Sequence, residues 1–213
     1  MSDRIAGFYQ KYLPLHAQGR LADLGCGYVP FYMAYKDLVT TTTCVDWPNS
    51  AHKNDLLDVT CDLNQPLPLP DHSADTIILS DVLEHIANPT LLWQEMARIL
   101  APGGKILMNV PFFYKIHEAP FDYYRYTEFA LRNFAETNGF TVLVLDPVGG
   151  LPEVFTDLFA KNLVKIPAIG TPLAKLLQTL CGAFVRSSRG KRVSANTGRH
   201  YPLGYFMIAE KAK

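Results

Sequence analysis

The stretch Leu21-Ala-Asp-Leu-Gly-Cys-Gly-Tyr-Val-Pro30 decides the fold of this chain. A short apolar run that contains one acid, Asp23, leads directly into the turn Gly25-Cys26-Gly27. Glycine lets the backbone of such a turn come close to a nucleotide-like ligand, because it has no Cβ. Pro30 stands where a dinucleotide-binding turn carries its third glycine. The turn therefore indicates an adenosine ligand other than a dinucleotide.

Two further acids follow the next two apolar runs of the sequence. Asp46 ends the β-branched run Thr41–Val45, and Asp62 closes the run Leu57–Cys61. A carboxylate at the tip of the second strand can accept hydrogen bonds from the hydroxyl groups of a ribose. A glycine turn alone is a weak signal, but a glycine turn with two acids at consecutive strand ends predicts an adenosine cofactor.

The composition is that of a folded domain with a core. The chain has 213 residues, of which 48% are hydrophobic, and this suits a single α/β domain with an appended segment. The first residues contain no apolar signal core, and no run is long enough to cross a bilayer, so we expect a cytoplasmic protein. The cysteines show no Cys-x-x-Cys pair and no metal-ligand spacing, so reduced thiols and no metal site are expected. They are Cys26, Cys44, Cys61 and Cys181.

The net charge of zero hides a segregation of charge along the chain. No Asp or Glu occurs between Leu158 and Ala209. Such a field suggests an anionic partner near the C-terminal part, although a solvated basic face with no partner explains it equally well. The basic residues of this segment are Lys161, Lys165, Lys175, Arg186, Arg189, Lys191, Arg192 and Arg199.

Hydrophobic periodicity predicts a doubly wound α/β sheet, in which strands alternate with helices. Asn88 and Thr127 are predicted helix caps, and Gly139 is expected just past a helix end. The predicted helices are Ile5–Leu15, Phe31–Leu38, one from Asn88-Pro89 to Pro102-Gly103-Gly104, and Thr127–Asn138. The predicted strands are Arg20–Leu24, Thr41–Val45, Leu57–Cys61, Asp75–Ser80, Lys105–Val110, Phe140–Leu145 and Leu203–Glu210.

The segment Leu151–Val185 interrupts this alternation. Its pattern predicts two amphipathic helices divided by Pro167–Pro172. The following Ser187–His200 is polar and basic and is predicted to be a mobile loop. We therefore expect one domain over residues 1–213 that carries a basic, amphipathic helical insert at 151–192. The second helix is predicted to place on one side Leu173, Leu176, Leu177, Leu180 and Phe184.

Several stretches, taken in order, resemble a class I S-adenosylmethionine (SAM)-dependent methyltransferase of the broad small-molecule type. They are Leu21-Ala-Asp-Leu-Gly-Cys-Gly27, Cys44-Val-Asp-Trp47, Asp62–Asp75, Ser80-Asp-Val-Leu-Glu-His85 and Arg98–Leu107. The similarity covers about Leu21 to Leu145 and returns at the last strand. The resemblance implies a seven-stranded Rossmann-like sheet in the order 3-2-1-4-5-7-6, with the last strand antiparallel.

The resemblance also implies a set of cofactor-binding residues, and their chemistry agrees with it. Gly25 and Gly27 would lie against the methionine part of SAM, and Asp23 would attract its ammonium group. Asp46 would accept from the ribose hydroxyls, and Asp62 from the adenine amino group. The expected set is Asp23, Gly25, Cys26, Gly27, Asp46, Trp47, Asp62, Leu63 and Ser80.

The segment Pro111–Thr127 follows the fifth strand and is expected to roof the cofactor pocket. His117 has the intrinsic pKa of a base that takes a hydroxyl proton near neutral pH. Asp81 and His85 follow the fourth strand and are the other catalytic candidates, although His85 fits equally well as part of the next helix start. An exposed cluster is predicted to contact the substrate, namely Asp122, Tyr123 and Arg125. The string from His117 to Thr127 resembles bacterial surface-glycan and lipid-carrier methyltransferases.

The predicted function is methyl transfer from SAM to an oxygen of a small-molecule, sugar or lipid-linked acceptor. Oxygen is favoured because a deprotonating His is present and the amine-methylating Asn/Asp-Pro-Pro-Tyr motif is absent, while a carboxylate acceptor would need no base. One rival hypothesis is a non-catalytic SAM-binding or membrane-surface adaptor. Another is an NAD-dependent oxidoreductase, which Pro30 disfavours.

The basic insert has two possible roles. It packs on the sheet domain as a lid, or it lies on an anionic membrane surface and makes the protein peripheral to a membrane. Nucleic acid is not an expected partner, because the basic cluster Arg186–Arg192 contains no aromatic residue to stack on bases.

Overall fold

Seven strands and seven helices make up the part of the chain that the computed structural model describes, residues 2–49 and 54–213. A single 3-10 turn, Leu83–His85, follows the fourth strand. The strands are β1 (Arg20–Leu24), β2 (Thr41–Asp46), β3 (Leu57–Thr60), β4 (Ala74–Ser80), β5 (Leu100–Pro111), β6 (Phe140–Val148) and β7 (Gly204–Lys211). The helices are α1 (Ser2–His16), α2 (Tyr32–Tyr35), α3 (Pro89–Ile99), α4 (Glu128–Thr137), α5 (Leu151–Leu163), α6 (Gly170–Arg186) and α7 (Ser188–Gly198).

All seven strands belong to one sheet, in the order β3-β2-β1-β4-β5-β7-β6. The pairs from β3 to β5 are parallel, whereas β7 runs antiparallel to both β5 and β6. This confirms the predicted fold class and strand order. Because parallel strands end at the same edge of a sheet, the carboxyl ends of β1, β2, β4 and β5 lie together, where sheets of this kind bind ligands.

The sheet is covered on both faces by separate hydrophobic cores. Along β4, Ile77 and Leu79 pack into the core under α3 and α4, while Ile78 packs into the core under α1. On the α1 face the ring of Tyr9 meets Phe206 of β7 edge to face, with the centroids 5.2 Å apart. Strand β4 is therefore buried on both sides, as its continuous apolar run predicts.

The predicted helix caps of α3 and α4 are confirmed. The side chain of Asn88 accepts a hydrogen bond from the amide of Leu91, and the hydroxyl oxygen of Thr127 accepts one from the amide of Ala130. Each cap satisfies an amide that has no partner inside its own helix. These contacts fix where the chain re-enters a helix after leaving the ligand-binding edge of the sheet.

Some element boundaries differ from the predictions. The first helix is longer than Ile5–Leu15, and the second is shorter than Phe31–Leu38, whose remainder is turn. Strand β5 already begins at Leu100, so the Pro102-Gly103-Gly104 stretch lies within the strand and does not only end the helix before it. Helix and strand ends are the positions where local sequence signals constrain the backbone least.

The prediction of a mobile loop at Ser187–His200 is wrong, because α7 occupies most of it. Ser187 caps this helix by accepting from the amide of Gly190 at 3.1 Å. Ser194 is buried and donates to Glu153 of α5 at 2.6 Å. Tertiary contacts thus stabilise a helix whose own composition, rich in Ser, Gly and Asn, disfavours one.

The apolar stripe of α6 is exposed instead of packed on the sheet. In this helix only Gly170 and Ala174 are buried among the described residues. The stripe includes Leu176, which is 54% exposed, and Leu180, which is 60% exposed. Among residues 2–49 and 54–213, no helix combines the length and the apolar character needed to span a membrane.

Candidate active site

The glycine turn after β1 has a backbone that only glycine adopts comfortably. Gly25 has a φ of +70° and Gly27 a φ of +51°. A Cβ at Gly25 would lie 2.5 Å from Cγ2 of Val82, closer than any side-chain contact allows. The loop after β4 therefore packs directly against the turn after β1, and both line the same edge of the sheet.

Asp23 is buried at the end of β1. It is 4% exposed and accepts a hydrogen bond of 2.9 Å from the hydroxyl of Tyr35. Burial raises the pKa of Asp23 to about 7, and the Tyr35 hydrogen bond opposes this shift while the nearby Asp46 carboxylate adds to it. A cation beside Asp23 would stabilise its ionised form, as the predicted contact with an ammonium group requires.

Only one of the two carboxylate oxygens of Asp46, at the end of β2, accepts a hydrogen bond from the described residues. Its Oδ1 accepts from the amide of Trp47 at 2.9 Å. Its Oδ2 is buried and lacks a hydrogen-bond partner within the part of the chain that the structure describes. A buried acceptor in this state is costly, so a ligand hydroxyl that donates to it would bind favourably.

Three further predicted cofactor residues are Asp62, Leu63 and Ser80. Asp62 is exposed, and its Oδ1 accepts from both nitrogens of Asn64, whereas Leu63 beside it is buried. Ser80, at the end of β4, donates to Oδ1 of Asn109 at 2.8 Å. Its hydroxyl proton is therefore already used, which leaves only the oxygen lone pairs of Ser80 for a ligand.

Asn109 and Tyr9 are residues of this region that the sequence analysis missed. The hydroxyl of Tyr9 donates to Oδ1 of Asn109 at 3.1 Å, through the core on the α1 face. The backbone oxygen of Asn109 also accepts from the amide of Asp81. No local pattern marks these residues, since they meet only when α1 packs on the sheet.

Asp81 lines the open side of the site. Its side chain is reached by solvent, although protein groups surround it closely, and its φ of +51° lies in the left-handed region. Burial by these groups and then the nearby Glu84 carboxylate raise the pKa of Asp81 to about 7. Asp81 can therefore exist in either protonation state near neutral pH.

The structure brings two of the predicted catalytic residues, His85 and His117, together around Glu84, which was not predicted. The rings of His85 and His117 are 4.7 Å apart, and each Nε2 faces Oε1 of Glu84, at 3.8 and 3.7 Å. Glu84 is completely buried. Its proximity raises the pKa of His117, an effect to which Asp122 adds. Glu84 lies inside the quoted Ser80–His85 motif, which is the signal that could have identified it.

The predicted cluster of Asp122, Tyr123 and Arg125 is not the exposed set expected from sequence. The Asp122 side chain is 2% exposed and binds Arg125 through both oxygens, at 2.6 and 2.8 Å. It also accepts from the amide of His117, and Arg125 lowers the pKa of Asp122 well below its usual range. Tyr123 is 45% exposed, and its amide donates to the carbonyl of Glu84. The cluster holds the loop in shape, while its contact with a substrate remains a prediction.

A cavity of about 360 Å³ lies between this loop and α5. The ammonium group of Lys161 lies 3.3 Å from the centre of the Tyr114 ring, so a cation–π contact joins the two walls. Lys161 also pairs with Asp157 at 2.5 Å. The walls include Phe112, Phe113, Tyr114, Leu158 and Lys161.

The fold is shared with solved methyltransferase structures. A Haloferax volcanii complex of the Trm112 methyltransferase activator and a putative methyltransferase aligns with a TM-score of 0.63 and 19% identity, over 99% of this chain and 90% of that one. A putative methyltransferase from Bacillus halodurans aligns with a TM-score of 0.63 and 14% identity over the whole of both chains.

A third alignment is to a structure with a bound ligand. The Haemonchus contortus phosphoethanolamine N-methyltransferase 2, in complex with phosphomonomethylethanolamine and S-adenosylhomocysteine, gives a TM-score of 0.61 and 16% identity. The alignment covers 99% of this chain and 53% of that one. At such identities these likenesses show the fold, and no curated protein matches the chain.

The strand order and the glycine turn with acids at successive strand ends define the class I methyltransferase fold. Residues 22–108 match the family described as a methyltransferase domain, and this segment contains the end of β1, the glycine turn, β2, β3, β4 and most of β5. The chain therefore has the class I methyltransferase fold, and the family match over residues 22–108 supports a SAM-dependent methyltransferase.

Proposed function

We propose that this methyltransferase transfers the methyl group of SAM to an oxygen atom of a small-molecule, sugar or lipid-linked acceptor. One observation carries the proposal. The loop after β5 places His117 beside His85 and Glu84 at the end of β4, and the ring of His117 lies 5.1 Å from that of Tyr114, which forms a wall of the cavity. Groups that handle protons and a surface that suits a ring thus lie at the same edge of the sheet as the predicted cofactor residues.

The residues at that edge fit SAM, which supplies a methyl group carried on a positively charged sulfur. Asp46 offers a buried oxygen that has no partner among the described residues, as a ribose hydroxyl requires. Asp23 offers a carboxylate whose ionised form a cation would stabilise. Gly25 and Gly27 have no Cβ, so their backbone is open to close contact.

Oxygen is the favoured acceptor atom because a hydroxyl must lose its proton during transfer. Asp81, His85 and His117 are the predicted catalytic residues, and they lie at the end of β4 and in the loop that faces it. The aromatic walls around Tyr114 suit a sugar or another ring, and holding it in line with the methyl group supplies much of the rate. The fully engaged Asp122–Arg125 pair keeps the loop rigid enough for such positioning.

The direct test is a transfer assay with isotopically labelled SAM. Acceptors that carry hydroxyl groups, including sugars and lipid-linked sugars, are compared with amines and carboxylic acids. We expect label on a hydroxyl acceptor in a product that survives mild base, which cleaves an ester but not an ether. Label on amines alone would contradict the oxygen proposal, and label in a base-labile ester would contradict a hydroxyl acceptor and assign a carboxylate oxygen instead. SAM binding without transfer to any acceptor class would favour the adaptor hypothesis.

We further propose that the insert associates with an anionic membrane surface, which would bring the enzyme near a lipid-linked acceptor. Helix α5, which packs against α6, also exposes apolar side chains, since Leu158 and Phe159 are 53% and 54% exposed. Eight basic residues lie between Leu158 and Ala209, and within the described chain only Lys161 forms a salt bridge, with Asp157. Apolar side chains beside unpaired basic residues match the chemistry of an anionic bilayer surface.

Flotation with anionic and neutral liposomes tests this association. Each basic residue near the surface adds about 1 kcal/mol, so replacing both Arg186 and Arg189 by Gln should weaken partitioning by roughly 30-fold. Leu176→Ser should also weaken it, whereas Phe129→Ser, which changes an exposed apolar residue of α4, should not. Absence of the protein from both liposome fractions at low salt would leave the stripe without a lipid role.

A further inference from the structure

A buried carboxylate at the end of β4 has no visible compensation for its charge. Glu84 is completely buried, and neither of its oxygens has a hydrogen-bond partner among residues 2–49 and 54–213. An ionised carboxylate in a protein interior is strongly destabilising unless a cation, a proton or hydrogen-bond donors compensate for it. The surroundings of Glu84 therefore indicate which group compensates its charge.

Two imidazole nitrogens face this carboxylate without bonding to it. Nε2 of His85 lies 3.8 Å and Nε2 of His117 lies 3.7 Å from Oε1 of Glu84. Both distances exceed the length of a hydrogen bond. In the described part of the chain, the Nε2 atom of His85 is also buried without a partner.

The opposite nitrogen of each ring faces an oxygen. Nδ1 of His85 lies 2.8 Å from the carbonyl oxygen of Phe121. Nδ1 of His117 lies 3.3 Å from Oδ2 of Asp122, although the alignment of these two atoms is not that of a hydrogen bond. A proton on each Nδ1 leaves a lone pair on each Nε2, so three electron-pair donors converge on one buried point. Metal-binding histidines are oriented in this way, by a carbonyl or carboxylate behind the ligating ring.

We propose that Glu84, His85 and His117 bind a divalent transition-metal ion of the zinc type. One ligand atom from each of the three residues lies within 4.8 Å of the other two. Zinc binds His nitrogen and carboxylate oxygen at about 2.0–2.2 Å in a tetrahedral arrangement, so neighbouring ligand atoms lie about 3.3–3.6 Å apart. The contacts of the two histidines with Glu84, at 3.8 and 3.7 Å, need to shorten only slightly, and ring rotations would bring the two imidazole nitrogens together. Two imidazoles favour zinc, iron, cobalt or nickel over magnesium and calcium.

Three protein ligands leave a coordination position open. The ion would lie beside the cavity walled by Tyr114, so an acceptor oxygen could occupy that position and lose its proton more easily. This role rests on the proposed oxygen methylation, whereas the binding site itself does not. The sequence prediction of no metal site considered cysteine spacing, and the present cluster contains no cysteine.

The test uses the full-length protein after treatment with a chelator. It is titrated with Zn²⁺ by calorimetry and with Co²⁺ by visible absorption, in the absence of SAM and acceptor. We expect one ion per chain, a Co²⁺ spectrum without thiolate charge-transfer bands, and no displacement by excess Mg²⁺. Glu84→Gln and His117→Ala should each weaken Zn²⁺ binding by more than about 100-fold, because loss of a residue behind a ligand already costs 10- to 100-fold.

Two further variants act as references. Asp122→Asn should weaken Zn²⁺ binding by about 10- to 100-fold, since Asp122 only orients His117. His200→Ala changes an exposed histidine outside the cluster and should leave the affinity unchanged. Absence of Zn²⁺ binding, or binding that both Glu84→Gln and His117→Ala leave unchanged, would overturn the proposal. The charge of Glu84 would then be compensated by protons. SAM affinity and methyl transfer, measured on the same preparations, report separately on the proposed function.

Discussion

Asp46→Ala should weaken SAM binding strongly while changing the stability of the unliganded protein little. Oδ1 of Asp46 has one bond, to the amide of Trp47, whereas Oδ2 is buried with no partner in the described chain. Removing the side chain loses the Trp47 contact, worth about 1 kcal/mol, but also removes a buried, half-satisfied charge. The two effects oppose each other, so we expect the free energy of unfolding to change by no more than about 1 kcal/mol.

The ligand-bound state has no such compensation. A hydrogen bond to a charged acceptor contributes about 1.5–3 kcal/mol, so losing the one between Oδ2 and a ribose hydroxyl should raise the Kd by roughly 10- to 150-fold. Asp46→Asn keeps the shape and one oxygen, and it should fall between the wild type and Asp46→Ala. Titration calorimetry with SAM and with S-adenosylhomocysteine measures both.

A matched control separates binding from stability. Asp75 pairs with Arg20 at the opposite end of β1, so Asp75→Ala should lower stability without changing the Kd for SAM. Equal affinity of the wild type and Asp46→Ala would remove Asp46 from the cofactor site. A large loss of stability in unliganded Asp46→Ala would refute the argument that its Oδ2 is a cost to the free protein.

Three other results are expected. Gly25→Ala should abolish SAM binding and lower the melting temperature, because the new Cβ would have an unfavourable φ and would collide with Val82; calorimetry and thermal unfolding measure the two effects. Ser194→Ala removes the donor to buried Glu153, so urea unfolding should show a loss of about 1–2 kcal/mol with an unchanged Kd for SAM. Because burial raises the pKa of Asp23 to about 7, ligand binding that ionises Asp23 should release a proton. SAM affinity should therefore rise by up to about tenfold per pH unit from pH 5.5 to 7 and level off above the pKa, and Asp23→Asn should flatten this profile.

The strands at the ligand-binding edge were predictable because their signals are local. Strand β1 has the bounds predicted for it, Arg20–Leu24, since a glycine turn follows it directly. The caps at Asn88 and Thr127 were also predictable, because each depends on one side chain and an amide three residues away. The strand order came from the resemblance to a known family, as periodicity does not specify which strands pair.

Helix α7 could not be predicted from its own residues. Its formation depends on contacts that are distant in sequence, above all Ser194 with Glu153, which are 41 positions apart. Gly190 also packs so closely on the carbonyl of Phe184 that no larger residue fits there. A glycine that signals a flexible loop in isolation is here required by the packing of α7 against α6.

The centre of the candidate site was hidden for a similar reason. Glu84 and His117 are far apart in sequence, and they meet because the loop after β5 folds back over the end of β4. A Glu in a Leu-Glu-His string gives no indication that both of its oxygens will be buried. Burial of that kind is a property of the folded chain, so local reasoning finds the histidines as candidates and misses the acid between them.

The polar atoms left without partners in the described chain include several at the ligand-binding edge. Oδ2 of Asp46 lies at the end of β2, the two oxygens of Glu84 follow β4, and Nδ2 of Asn109 lies near the end of β5. Each lowers the stability of the free protein, and a sequence selected for stability alone would have replaced them. Under the proposed function, the Asp46 atom would lie on the cofactor side of this edge, and the Glu84 and Asn109 atoms on the acceptor side. Because different residues would contact the cofactor and the acceptor, loss of one ligand should leave the binding geometry of the other largely intact.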